Sequence, residues 1–78
     1  SNFMNILGID PGSRLCGYGV INYTNRKLKL VEAGVIKMKS RLLQEQILEF
    51  VTGIDMVLLN HKIDEVAIED MFFAHNPK

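Results

Sequence analysis

Two carboxylates close short apolar runs in this chain. Asp10 ends Asn5-Ile6-Leu7-Gly8-Ile9-Asp10, and Glu69 ends Glu65-Val66-Ala67-Ile68-Glu69. Placed a few ångströms apart, two such groups repel, so either one keeps a proton or a cation neutralises both. Hard oxygen donors suit Mg²⁺ or Mn²⁺ rather than zinc. Mg²⁺ keeps several waters and readily takes phosphate oxygens, so a two-carboxylate site suits phosphodiester chemistry. A glycosidase also uses an acid pair, but it needs an aromatic-lined sugar cleft, and the chain has no tryptophan. Spacing alone leaves a plainer reading with equal weight: Asp10 as a turn former before Pro11-Gly12, and Glu69 as a solvent-facing strand end.

The remaining reactive side chains offer less. His61 and His75 have no partners at ligand spacing and read as surface histidines. Cys16 beside Gly17 reads as a small packed residue. Gly8 to Ser13 lacks the lysine and the spacing of a phosphate-binding P-loop. Asp64, Glu65 and Asp70 read as solubilising neighbours. Lys27, Lys29, Lys37 and Lys39 share one parity, which in a regular strand sends them from one face. That face could meet phosphates or simply be solvated.

For the acids to work together, the intervening elements must bring them together. Residues 5–10 read as a strand buried on both faces, followed by the turn Pro11-Gly12-Ser13. Residues 16–23 form a second strand whose glycines, Gly17 and Gly19, mark a close approach by a backbone or a ligand. Thr24 to Lys27 is a turn, and residues 28–38 form a third strand. Short turns require antiparallel pairing among these three. The hydrophobic period then changes: Leu43, Ile47, Phe50, Val51, Ile54, Val57 and Leu58 fall at steps of three and four, predicting a helix from about 41 to 60. Its stripe reads as core, Ser40 reads as its N-cap, and Gly53 within it costs about 1 kcal/mol relative to alanine. Residues 65–69 are a fourth strand. A crossover helix returns the chain parallel to a strand already in the sheet. If the fourth strand lies beside the first, Asp10 and Glu69 share one edge, where open sheets of this kind bind ligands.

Bulk properties bound the answer. The 78 residues allow one small domain, and 47% hydrophobic content argues against disorder. The single cysteine and the lack of a membrane-length apolar run or signal peptide favour a reducing, cytoplasmic setting. Net charge is zero, yet residues 1–41 carry seven Lys/Arg and two acids, and residues 42–78 carry two and seven. A basic half is compatible with a polyanion partner, although from charge alone an ordinary solvated surface is the favoured reading. Ser1 to Phe3 read as a cloning remnant before Met4 and are left out of the predicted fold.

Several segments together resemble the start of the RuvC family of bacterial Holliday-junction resolvases: Ile6-Leu7-Gly8-Ile9-Asp10-Pro11-Gly12-Ser13, Gly17-Tyr18-Gly19, Ala67-Ile68-Glu69, Phe72 and Asn76. The likeness runs from about residue 5 to residue 77. The opening motif is shared with sugar kinases and actin-like ATPases, which use such an aspartate toward nucleotide phosphates. Ala67-Ile68-Glu69 favours the nuclease family and also departs from the Gly-Leu-Pro element of the related YqgF type.

The resemblance implies an α/β fold with a ribonuclease H-like mixed sheet: three antiparallel strands, a crossover helix and a parallel fourth strand. Residues 4–78 would be the N-terminal part of a single nuclease domain whose C-terminal half is missing. It implies a homodimeric endodeoxyribonuclease that resolves four-way DNA junctions in recombination and repair by symmetric nicks, working with the branch-migration complex RuvA-RuvB. Two Mg²⁺ ions per subunit are implied, with Mn²⁺ as substitute. One would activate the attacking water, and the other would stabilise the departing 3′ oxygen. Asp10 and Glu69 match the family's first two catalytic, metal-holding carboxylates. Phe72 matches an aromatic that stacks on an unpaired base, and Asn76, Ser13 and Arg14 fall among DNA-contacting positions. His75 departs from the lysine expected there, and Met71-Phe72-Phe73 is bulkier than usual. The family's further acids and its dimer helix lie beyond Lys78, so the 78-residue chain alone is expected to be inactive and to self-associate.

Overall fold

The computed structural model describes residues 3–68. Its element order is β1 (Phe3–Asp10), β2 (Leu15–Thr24), β3 (Lys27–Lys37), α1 (Leu43–Asn60) and β4 (Glu65–Ile68). The strands form one sheet in the order β3-β2-β1-β4. β1 pairs antiparallel with β2, β2 antiparallel with β3, and β4 parallel with β1. This is the ribonuclease H-like arrangement expected from the resemblance.

Alternation along β1 and β2 sorts the sheet into two faces. Leu7, Ile9, Cys16 and Val20 are buried on one of them, with Ile36, Met38 and Val57. α1 packs there, and a Cβ placed on Gly53 would come within 2.7 Å of Ile36 Cγ2. That close approach is why the helix carries a glycine despite its propensity cost. Among the described residues nothing covers the opposite face, so β1 is buried on one side and not on both as the apolar run suggested. The helical stripe is likewise only partly core. Val57 is buried and Phe50 and Ile54 pack against the cluster, whereas Leu43, Ile47, Val51 and Leu58 are exposed.

The β2–β3 hairpin turns on Asn25 and Arg26, both in the left-handed region at φ 53° and 67°. Two such residues in a two-residue loop match the right-handed strand twist. Further along, Val20 faces Glu32 and Ile21 faces Leu30, so Val31 has no partner in the ladder. This bulge reverses the parity of β3. Lys27 and Lys29 oppose Thr24 and Asn22 on the core side, while Lys37 opposes Leu15 on the outer side. The lysines therefore do not share a face, as their equal spacing had suggested.

Smaller corrections have local causes. Phe3, set aside as a remnant, belongs to β1 and pairs with Thr24. The N-cap of α1 is Leu42, not Ser40, and it makes no side-chain cap bond. The Ser40 hydroxyl instead accepts the Leu42 N–H at 3.2 Å and bonds Glu45. Asp64 is a fastener rather than a mere solubiliser. Its carboxylate accepts the Asn5 N–H at 2.8 Å and its own N–H donates to the Asn5 carbonyl at 2.9 Å. Asn5 also donates to the Lys62 carbonyl and accepts from Asn22, which ties β4's entry to both β1 and β2. His61, read as a surface group, is half-buried and bonds Glu32 at 2.5 Å. Among the described residues no helix is long and apolar enough to cross a membrane.

Candidate metal and nucleic-acid site

Asp10 sits at the carboxyl end of β1, opposite Gly17. Ile9 beside it is buried in the core, so alternation turns Asp10 to the uncovered face. It is exposed, and its side chain makes no hydrogen bond or ion pair among the described residues. The strand therefore presents a hard oxygen donor that no other described residue has claimed. Its charge is felt below: burial pushes the Cys16 thiol up, and the Asp10 carboxylate adds to the shift. Cys16 is a buried, packed residue, as read from the sequence.

Among the described residues the outer face carries little side chain one step along β1 from Asp10. Gly8 lies opposite Gly19 on one side and Ala67 on the other, and Gly19 lies opposite Ala33. At this level all four strands carry an alanine or a glycine. Gly17 and Gly19, flagged from the sequence as points of close approach, are thus two members of a larger set. The missing members were hidden because register, not spacing, lines them up. Gly8, Asp10, Gly17, Gly19 and Ala67 line a depression of about 510 Å³ with neighbouring backbone.

The parallel β1–β4 register ends with Ile9 opposite Ile68. In sequence the next residues are Asp10 and Glu69. Glu69, Phe72, His75 and Asn76 lie outside the described residues, as do Met71 and Phe73. Among the described residues no three metal-ligating side chains gather, and of the two carboxylates singled out from the sequence only Asp10 is one of them.

Ser13 and Arg14 are exposed in the turn joining β1 to β2. Gly12 makes that turn possible, since a Cβ there would meet the Leu15 carbonyl oxygen at 2.4 Å. The Met38 N–H donates to the Arg14 carbonyl at 2.8 Å, which lays the β3–α1 connection alongside the turn. Sequence reading missed this pairing, because no spacing rule links residue 14 to residue 38.

Away from this edge, Glu32 joins three elements. Tyr18 donates to it at 2.6 Å and His61 lies 2.5 Å from its other oxygen. The Tyr18 and then the His61 hydrogen bonds hold the Glu32 carboxyl below its ordinary range. The same bond to Glu32, with some burial, raises the Tyr18 hydroxyl.

Comparison with known proteins agrees with this geometry. The family model described as crossover junction endodeoxyribonuclease RuvC matches residues 6–78. A protein of that name from Wolinella succinogenes is 68% identical over 76 residues, covering 96% of this chain and 47% of the relative. Those from Aliarcobacter butzleri and Helicobacter hepaticus are 60% and 66% identical, again over 96% of this chain, and over 49% and 42% of their own lengths. The chain thus spans about half the length of the curated relatives it matches. Among solved structures, the Aquifex aeolicus PPX-GPPA enzyme superposes with a TM-score of 0.64 at 17% identity, over 85% of this chain and 26% of that one. That likeness speaks to the fold alone. With its residues matched from the first strand to the last, this chain belongs to the RuvC family of crossover junction endodeoxyribonucleases.

Proposed function

We propose that the full-length protein is a Mg²⁺-dependent endonuclease that resolves four-way DNA junctions by paired symmetric nicks. The observation carrying this reading is the unclaimed Asp10 carboxylate at the carboxyl end of β1, beside a strand that runs parallel and in register up to the residue before Glu69. Family membership supplies the substrate class. Asp10 and Glu69 would hold the divalent ions, with further ligands from parts of the protein beyond this chain. When bound, such ions supply an activated water and charge stabilisation at the leaving oxygen, with Mn²⁺ able to substitute for Mg²⁺.

The chain's own contribution is positioning. The glycine-lined surface lets a phosphodiester backbone approach Asp10 without a side chain in the way. Ser13 and Arg14, on the adjoining turn, would contact its phosphates. Phe72 would stack on an unpaired base near the crossover, and Asn76 would contact DNA in the same segment. The protein would act as a homodimer, one subunit per nicked strand, on junctions delivered by the RuvA-RuvB branch-migration complex.

The test uses the full-length protein on a synthetic four-way junction with Mg²⁺, alongside Asp10→Asn and Glu69→Gln. Wild-type cutting with loss in both variants is expected. Robust cutting by either variant sinks the role given to that residue. The 78-residue chain alone, lacking the remaining ligands, should not nick the junction.

A further inference from the structure

Four cations collect at the Asp10 edge of the sheet. Arg14 ends the turn after β1, Lys37 ends β3, and Lys39 and Arg41 lie in the connection to α1. Lys37 is on the same outer face as Asp10, because both Leu15 opposite Lys37 and Gly17 opposite Asp10 alternate with buried Cys16. Two strand spacings and two residues along the strand put the Lys37 and Asp10 backbones about 12 Å apart. At about 3.4 Å of helix axis per nucleotide, that reaches a phosphate a few nucleotides from the one at Asp10.

The connection carrying Lys39 and Arg41 is firmly mounted. Glu49 accepts the Lys39 N–H at 3.2 Å and the Ser40 N–H at 3.1 Å, and the Gln46 amide donates to the Ser40 carbonyl at 2.7 Å. Met38 is buried between Lys37 and Lys39, and its N–H is bonded to Arg14. Arg14, Lys37, Lys39 and Arg41 are all exposed, and none forms an ion pair among the described residues. The acids nearest along α1, Glu45 and Glu49, are bonded to the Ser40 hydroxyl and to loop N–H groups and not to these cations. Charges fixed on a held backbone lose less freedom when they bind.

We propose that Arg14, Lys37, Lys39 and Arg41 form a phosphate-binding rail that grips the backbone of the DNA strand leading into Asp10. The proposal rests on the endonuclease reading above and adds Lys37, Lys39 and Arg41 to its DNA contacts. Arg26, Lys27 and Lys29, at the opposite end of the sheet, lie outside the rail and serve as its internal comparison.

The experiment measures binding of the full-length protein to a labelled four-way junction by fluorescence anisotropy across a salt series in EDTA. Each phosphate contact contributes about 0.9 to the slope of log affinity against log salt. The triple variant K37Q/K39Q/R41Q should lower that slope by about 2 to 3. The charge-preserving K37R/K39R/R41K should restore most of it, and K27Q/K29Q should leave it unchanged. If the triple variant does not fold, each single variant should lower the slope by about 0.9. A wild-type slope in the folded variants, or an equal loss in K27Q/K29Q, overturns the rail. Mg²⁺-dependent nicking by the wild-type protein tells the two readings apart. Nicking with an unchanged slope in the triple variant defeats the rail alone, whereas no wild-type nicking defeats both.

Discussion

Asp10 and Gly17 face each other across the antiparallel ladder, and a Cβ on Gly17 would lie 3.9 Å from the Asp10 Cβ. The glycine keeps the carboxylate's rotamers open on a face where, among the described residues, no hydrogen bond or ion pair holds it. Gly17→Val should therefore leave stability near wild type, since a branched residue suits a strand. It should also crowd Asp10 and its phosphate. Junction nicking by the full-length variant should fall by about 100-fold, the scale of a 1 Å misplacement. Comparing nicking rate with thermal midpoint checks both halves.

Gly53→Ala should be destabilising, against ordinary helix propensity. Alanine normally gains about 1 kcal/mol over glycine inside a helix. Here the added carbon would meet Ile36 Cγ2 at 2.7 Å, and overpacking of that kind costs about 1–3 kcal/mol. Urea unfolding of the variant, and of G53A combined with Ile36→Ala to make room, separates the two effects: the second change should recover part of the helix gain.

Arg26 holds φ at 67° without being a glycine. A left-handed residue with a Cβ costs about 1–2 kcal/mol, and the second position of this turn type favours glycine after Asn25. Arg26→Gly should raise stability by about 0.5–1 kcal/mol, the usual gain from fitting residue to turn after glycine's own entropy is subtracted. Denaturant midpoints measure it.

Acid should loosen the contact between α1 and β3. Glu32 is held below its ordinary pKa, first by Tyr18 and then by His61. A carboxylate depressed in the folded state contributes stability above its unfolded pKa, which is lost as pH falls through the folded value. Stability should thus decline below about pH 4.5, the ordinary value for this group. Glu32→Gln should flatten that part of the profile. Tyr18 has the opposite sense: its raised pKa adds stability below its ordinary value, lost as pH climbs through the folded one. Tyr18→Phe should remove the alkaline limb. Thermal midpoints across pH report both.

The 78-residue chain by itself should self-associate. Among the described residues β3 and β4 are the sheet's edges; Val66 and Ile68 on β4 are 51% and 65% exposed, and Ile47, Val51 and Leu58 of α1 are exposed as well. Unpaired edges and exposed apolar side chains both favour association. Light scattering should show mass rising with concentration; a constant monomer mass would contradict this.

Element order and strand direction were legible because hydrophobic period and turn length act locally. Leu43 to Leu58 announces a helix by steps of three and four, and Thr24 to Lys27 is too short for anything but a hairpin. The placement of Asp10 at a sheet edge followed from β1 and β4 being parallel neighbours. What escaped depends on contacts distant in sequence. The Arg14–Met38 bond, the grip of Asp64 on Asn5 and the Glu32 junction with Tyr18 and His61 join residues that no periodicity connects. Ser40 looked like a cap because its side chain suits one, yet its hydroxyl is engaged with Leu42 and Glu45 while the helix starts three residues on.

Val31 has the widest reach of these local irregularities. Deleting that one residue would let Glu32 follow Leu30 directly, which restores regular pairing and leaves every other side chain of β3 on its present face. Ile36 would stay toward the core and Lys37 toward the outer face. The strand thus holds one residue in reserve: the ladder absorbs a deletion at Val31, whereas losing a paired residue such as Ala33 exchanges inside for outside along part of the strand unless the bulge is used up to compensate.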